Sequence, residues 1–275
     1  MKRIAICAPA TPLERELATQ VAAMAAQDYP ELELSFHEQC FASEGHFAGS
    51  DAVRLTALLE CSNDPGFDAV WFAKGGYGSN RIAGAALAAM NEHAARKSYL
   101  GYSDCGTLLG ALYRAGIGQP VHAPMPVDIR REGGEAAVRR ALDWLSDDPS
   151  GLEGSIDKEP AAAFNLTTLA MLVGTEFMPQ LDGHVVIIEE VAEHLYAIDR
   201  MMFHITEHLS GVAGIRLGEV TAVPENDRPF GADAEEIVQD WCARSGIPYL
   251  GRAQIGHSAD NRIVPFGLVE PLLAA

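Results

Sequence analysis

The chain has 275 residues, 48% apolar and 21% charged, a globular composition with room for one large domain or two modest ones. Its 38 acidic and 20 basic residues leave a net charge of −18, a field that repels nucleic-acid backbones and anionic membranes. No run is long enough to span a bilayer, and the five cysteines show neither CxxC nor framework spacing, so reduced thiols and a cytoplasmic location are expected.

Met1-Lys2-Arg3 is a basic tip, but the apolar run behind it is too short for a signal peptide and Pro9 ends it. Arg3 to Ala8 reads instead as a first buried strand. An Ala-rich helix follows over Leu13 to Ala26, then a strand over Leu32 to Phe36 and a helix over Ala52 to Cys61. Asp68 to Phe72 is a third strand and Asn80 to Met90 a third helix. Tyr99 to Tyr102 is a short fourth strand that runs straight into a helix from Thr107. This alternation predicts an α/β fold with a Rossmann-like, mainly parallel sheet, whose ligands bind at the carboxyl ends of the strands.

After Gln119 the order changes. Val121-His122-Ala123 reads as a strand and Ala136 to Leu145 as a helix; Asp147-Asp148-Pro149-Ser150-Gly151 reads as a linker. The boundary is therefore drawn between residues 1–148 and a smaller mixed α/β domain, 149–275. In the second domain a helix is expected after Asn165, a strand over Val185 to Ile188 and a helix over Leu195 to Leu209. A strand over Ile215 to Val223 and a helix over Ala234 to Ala243 follow.

Three segments carry chemistry. Ser103 stands where the fourth strand turns into a helix, the place where a hydrolase exposes a nucleophile before free helical N–H groups. Serine is equally a favoured helix cap, and Asp104 suits a first turn. Lys74-Gly75-Gly76-Tyr77-Gly78-Ser79 follows the third strand; its glycines permit the backbone geometry of an oxyanion hole or a tight turn, and it is neither a P-loop nor a GxGxxG fingerprint. Gly256-His257-Ser258-Ala259-Asp260 offers a histidine as general base, which needs a carboxylate to orient it. Glu189-Glu190-Val191-Ala192-Glu193, closing an apolar strand, is the candidate source, against the reading of a solvated acidic turn.

Two rival chemistries are present. His204-Ile205-Thr206-Glu207-His208 matches the HxxEH pattern of inverted zinc peptidases, with both histidines on one helix face. Cys105 is a conceivable thiol nucleophile, although a packed small residue fits its place in the first helical turn better. A non-catalytic ligand-binding protein is a further reading open to a two-domain α/β chain.

Taken together, these blocks resemble the LD-carboxypeptidase family of serine peptidases, which includes murein tetrapeptide carboxypeptidases and microcin C self-immunity peptidases. The likeness runs through Ala8-Pro9-Ala10-Thr11-Pro12, Asp51-Ala52-Val53-Arg54, Ala73-Lys74-Gly75-Gly76-Tyr77-Gly78 and Gly101-Tyr102-Ser103-Asp104. It continues through Asn165-Leu166-Thr167-Thr168, Ile188 to Glu193 leading into Tyr196 to Arg200, and Gly256-His257-Ser258. The resemblance implies Ser103 as nucleophile, His257 as base and Glu189 as the acid, with Glu190 as a rival. It also implies an oxyanion hole from the N–H groups of Gly76 and Asp104. No metal and no cofactor are implied; the expected partners are a murein tetrapeptide-like peptide and a second copy of the chain in a homodimer. The alternative substrate is a peptidyl- or aminoacyl-nucleotide, for whose base Trp144 and Trp241 supply no clear pocket. Arg81, Arg200 and Arg262 are candidates for the substrate's terminal carboxylate. Lys74 replaces the family's usual arginine. Ala163-Phe164 stands where the family usually has two glycines, and that bulk is expected to narrow the cleft or alter the substrate.

Overall fold

The computed structural model describes residues 1–267. The first half runs β1 (Lys2–Cys7), α1 (Arg15–Asp28), β2 (Leu32–Phe36), α2 (Asp51–Asn63), β3 (Ala69–Phe72), α3 (Asn80–Ala89), β4 (Ser98–Gly101), α4 (Gly106–Ala115), β5 (Gln119–His122) and α5 (Gly134–Leu145). The second half runs β6 (Ala161–Asn165), α6 (Leu166–Leu172), β7 (Val185–Val191), α7 (Leu195–Thr206), β8 (Gly214–Thr221), α8 (Ala234–Ser245), β9 (Tyr249–Arg252) and β10 (Val264–Pro265).

Two sheets result, ordered β10-β5-β4-β3-β1-β2 and β6-β7-β8-β9. Among the described residues the named strands pair in parallel except β10 with β5. Parallel strands covered on both faces read as unbroken apolar runs, and Ala69-Val70-Trp71-Phe72 of β3 is buried at every position. In the first sheet the strand order reverses between β1 and β3. The loops leaving those two strands diverge there and open a crevice at their carboxyl ends.

The α/β expectation holds, with differences at the edges. β6, β9 and β10 were not foreseen. Ala161-Ala162-Ala163-Phe164-Asn165 has no β-branched residue to mark it as a strand, β9 contains Gly251, and β10 is only two residues long. The second sheet is wholly parallel. The antiparallel pair lies in the first sheet, where β10 returns from beyond residue 148 to pair with β5. Residues 268–275 of the expected second domain lie outside the described residues.

One apolar core runs through both halves. α4 meets α6 closely because glycine faces it: a Cβ at Gly110 would lie 3.0 Å from Leu172 and 3.3 Å from Phe164. Phe164 is buried in this seam, its ring 5.1 Å from that of Phe266. Its bulk fills the core between β6 and α4 and does not border the cleft described below, so the expected narrowing is not found.

Candidate active site

The carboxyl ends of β3, β4 and β7 and the loop after β9 converge on one point. Ser103 ends the turn out of β4 with φ 59°, a left-handed conformation that a side chain adopts only under strain. The turn thrusts its Oγ away from the backbone. The hydroxyl lies 3.1 Å from His257 Nε2, and His257 Nδ1 lies 2.7 Å from Glu189 Oε2. Glu189 is 0% exposed. Burial pushes its carboxyl above the ordinary value, while the bond from His257 pulls the other way.

Adjacent strand residues face opposite sides, and this separates the two glutamates. Glu190 turns away from His257 to the start of α6. It accepts from Asn165 Nδ2 at 2.7 Å, Thr167 N at 2.8 Å, Thr167 Oγ1 at 2.7 Å and Val191 N at 2.8 Å. The same Asn165 caps α6 by accepting from Thr168 N at 3.1 Å. Room for Glu189 comes from Gly218 on β8, where a Cβ would lie 3.1 Å from Glu189 Cβ. The β7–β8 register shifts beside it, between Ile188 and Glu190.

The glycine loop after β3 lies against Ser103. A Cβ at Gly75 would stand 3.0 Å from Ser103 Cβ and 3.2 Å from its Oγ, so only glycine leaves this space open. Thr11 Oγ1 donates to Gly75 O at 2.6 Å. In a trans peptide the next N–H points the opposite way, so this bond also orients the N–H of Gly76. Ser79 ties the loop to the turn: its N–H donates to Asp104 Oδ2 at 2.9 Å and its hydroxyl to Asp104 O at 2.7 Å. In the described loops neither Gly76 N–H nor Asp104 N–H donates to a backbone carbonyl. Both residues border the cleft in front of Ser103.

Arg54 has a role that sequence reading left unassigned. Fully buried, it donates through Nη1 to Gly78 O at 2.8 Å and to Pro9 O, and through Nη2 to Asp51, and so holds the glycine loop from below. The signal was its spacing with Ala57, Leu58 and Cys61, which sets a charged residue on the buried face of α2.

The cleft measures about 420 Å³. Among the described residues it is lined by Asp104, Glu190 and Glu193 but by no lysine or arginine. None of Arg81, Arg200 and Arg262 is among these lining residues; Arg81 pairs with Asp51 at 2.8 Å. His208 Nδ1 lies 2.9 Å from the carbonyl of His204, and no group of three metal-ligating side chains occurs among the described residues. Cys105 is buried, its thiol pushed well up by burial, and it faces the carbonyl of Lys74. It is a packed residue, not an exposed nucleophile. Trp241 packs on Phe203 and donates to Asp199, and neither it nor Trp144 borders the cleft. All five cysteines are free and buried, and no described helix is long and apolar enough to cross a membrane.

Ser103, His257 and Glu189 thus stand in a hydrogen-bonded line, with Gly76 and Asp104 bordering the cleft beside Ser103, and a hydroxyl, an imidazole and a carboxylate so arranged are suited to acyl transfer. The chain is 26% identical over 284 residues to the murein tetrapeptide carboxypeptidase of Pseudomonas aeruginosa, covering 96% of this chain and 91% of that one. Its fold matches the crystal structure of muramoyltetrapeptide carboxypeptidase from Oxalobacter formigenes with a TM-score of 0.78 and 22% identity, over 97% and 93% of the two chains. It also matches the microcin C7 self immunity protein MccF in complex with glutamyl sulfamoyl guanosine, with a TM-score of 0.79 and 15% identity, over 97% and 91%. Residues 4–123 match the LD-carboxypeptidase N-terminal domain and residues 162–270 the LD-carboxypeptidase C-terminal domain, so the chain belongs to the LD-carboxypeptidase family of serine peptidases.

Proposed function

We propose that this carboxypeptidase cleaves an L,D amide bond, releasing the terminal D-alanine of murein tetrapeptide, with Ser103, His257 and Glu189 performing the chemistry. The observation that carries the reading is the unbroken line from Ser103 Oγ, at the wall of the cleft, to His257 and on to buried Glu189. His257 takes the Ser103 proton as Oγ attacks the amide carbonyl. Glu189 holds the imidazole in the tautomer that leaves Nε2 bare and stabilises the imidazolium that follows. The N–H groups of Gly76 and Asp104 receive the tetrahedral oxyanion, where one donor is typically worth about 10²–10³ in turnover. His257 then protonates the leaving amine, and a water deprotonated by His257 cleaves the acyl-enzyme. With no cation among the described lining residues, the leaving group's carboxylate is received by neutral donors such as the Asn80 amide and the Thr107 hydroxyl.

The test is incubation with murein tetrapeptide and mass spectrometry of the products. Loss of D-alanine is expected from the wild type and not from Ser103→Ala. No release, with Ser103 still labelled by a fluorophosphonate probe, sinks the substrate and leaves the nucleophile standing. The same reading carries a role in peptidoglycan recycling, a cytoplasmic location and a homodimer; sedimentation velocity tests the last.

A second reading is hydrolysis of a peptidyl- or aminoacyl-nucleotide. It draws on Tyr77, 48% exposed, and Phe177, whose rings border the cleft and offer faces on which a base can stack. Release of glutamate from a glutamyl sulfamoyl nucleoside, without release of D-alanine from tetrapeptide, would select it.

A further inference from the structure

Tyr102 immediately precedes Ser103 and is buried, with its ring centroid 4.9 Å from that of His257. Its hydroxyl donates to Asp128 Oδ1 at 2.8 Å. Asp128, 1% exposed in the turn after β5, also accepts from Met125 N at 2.8 Å and from Arg131 Nε at 2.9 Å. The guanidinium of Arg131 then reaches two further acceptors. Nη1 donates to the backbone carbonyl of His257 at 2.6 Å, and Nη2 to the Tyr102 hydroxyl at 3.4 Å. One planar fork therefore touches the residue before Ser103, the backbone of His257 and the buried carboxylate between them.

Arg140 provides a contrast. It donates to the carbonyls of Ala259 at 2.6 Å and Asn261 at 2.9 Å. It thus straps the loop that carries His257 without touching His257 or the Ser103 turn. Arg131 alone of the two spans both sides of the Ser103–His257 contact, which joins an element of the first sheet to a loop after the second.

We propose that Arg131 is a positioning residue that sets the separation of Ser103 from His257, acting through Tyr102 and the His257 carbonyl. The inference rests on the reading that Ser103 and His257 perform the chemistry. Attack requires the hydroxyl and the imidazole in hydrogen-bond geometry, and a displacement of about 1 Å can cost on the order of 10² in rate. Lysine in place of Arg131 keeps a positive charge opposite Asp128, but a single ammonium cannot reproduce the planar fork.

The test compares Arg131→Lys, Tyr102→Phe and the double variant in steady-state hydrolysis of murein tetrapeptide, in the rate of Ser103 labelling by a fluorophosphonate, and in thermal unfolding. Arg131→Lys should lower kcat by about 10² with KM within about twofold. The labelling rate should fall in parallel, because it reads the Ser103–His257 contact without the peptide. Tyr102→Phe removes one hydroxyl and keeps the ring; its loss should be smaller and should largely disappear in the Arg131→Lys background, because both act through one network. Wild-type kcat and labelling in Arg131→Lys overturn the proposal. So does a loss that follows a lowered Tm and is recovered on cooling. Hydrolysis by Ser103→Ala would instead overturn the underlying catalytic reading.

Discussion

Glu189 and Glu190 leave β7 on opposite sides: Glu189 Oε2 lies 2.7 Å from His257 Nδ1, while Glu190 accepts four hydrogen bonds around the start of α6. The chain sets two buried carboxylates side by side, and the fold gives them different partners. Glu189 keeps one oxygen, Oε1, buried without a protein partner, whereas both oxygens of Glu190 are used. The unpartnered oxygen and the raised carboxyl are what make Glu189 costly to fold and Glu190 cheap.

Substituting each by glutamine should therefore have opposite consequences. Glu189→Gln is expected to lower kcat by roughly 10³–10⁴, because the amide does not fix the imidazole tautomer as a carboxylate does. Its Tm should hold or rise: a carboxyl raised by burial is disfavoured as the charged form at neutral pH, and the neutral amide escapes that penalty. Glu190→Gln should retain most of its turnover and lose about 1–3 kcal/mol of stability, since one amide oxygen cannot accept from all four donors. Paired measurements of kcat and urea midpoint check both; equal activity losses would contradict the assignment.

Ser103 stores strain that glycine would release. With φ 59°, a non-glycine residue costs roughly 1–2 kcal/mol. Ser103→Gly and Ser103→Ala should both be inactive, but the glycine variant should unfold at higher denaturant, by up to about 1 kcal/mol after its greater unfolded-state entropy is counted. A less stable glycine variant would show that the turn holds no strain.

Gly75→Ala tests the fit of the loop against Ser103. The added methyl would lie 3.0 Å from Ser103 Cβ, closer than ordinary contact, so the loop or the turn must move. A fall in kcat of about 10² is expected, with near-native circular dichroism. The variant should label slowly with a fluorophosphonate; wild-type labelling would mean that the loop yields freely.

His122 should give the protein an acid-sensitive stability. It is buried behind the site, with Nε2 2.9 Å from Asn261 Oδ1. Burial brings its imidazole down from 6.5 to about 4; the Asn261 bond opposes the shift and the nearby His257 adds to it. In the unfolded chain this histidine takes up a proton near pH 6.5, in the fold only near pH 4. Its contribution is thus fully present above pH 6.5, is lost as pH falls through that window, and changes no further below pH 4. The span corresponds to roughly 3 kcal/mol. His122→Gln, which keeps a donor near Nε2, should flatten the dependence of the urea midpoint between pH 4.5 and 7. An unchanged slope would assign the sensitivity elsewhere.

Much of this architecture was written in local patterns. The strand-helix alternation from Lys2 to Ala115 follows from apolar periodicity, and each helix of that half begins and ends within a few residues of its expected place. The Ser103 turn, the glycine loop and the His257 loop were visible because glycine, serine and histidine at element ends are local signals. β6, β9 and β10 were not, because their residues become strands only through the neighbours they pair with.

Residue types and their order along the chain limited the acid to one of two adjacent glutamates, left a choice of three arginines for the substrate carboxylate, and allowed a zinc site on α7. Only the tertiary structure sets which of these groups stand together, and the reason is the same in each case: distance across the fold is not encoded by distance along the chain. Which face of β7 meets the His257 loop depends on how the second sheet packs on the first. That packing turned Glu189 inward, sent Phe164 into the core, left Arg81, Arg200 and Arg262 outside the cleft, and brought Arg131 within reach of both Tyr102 and His257.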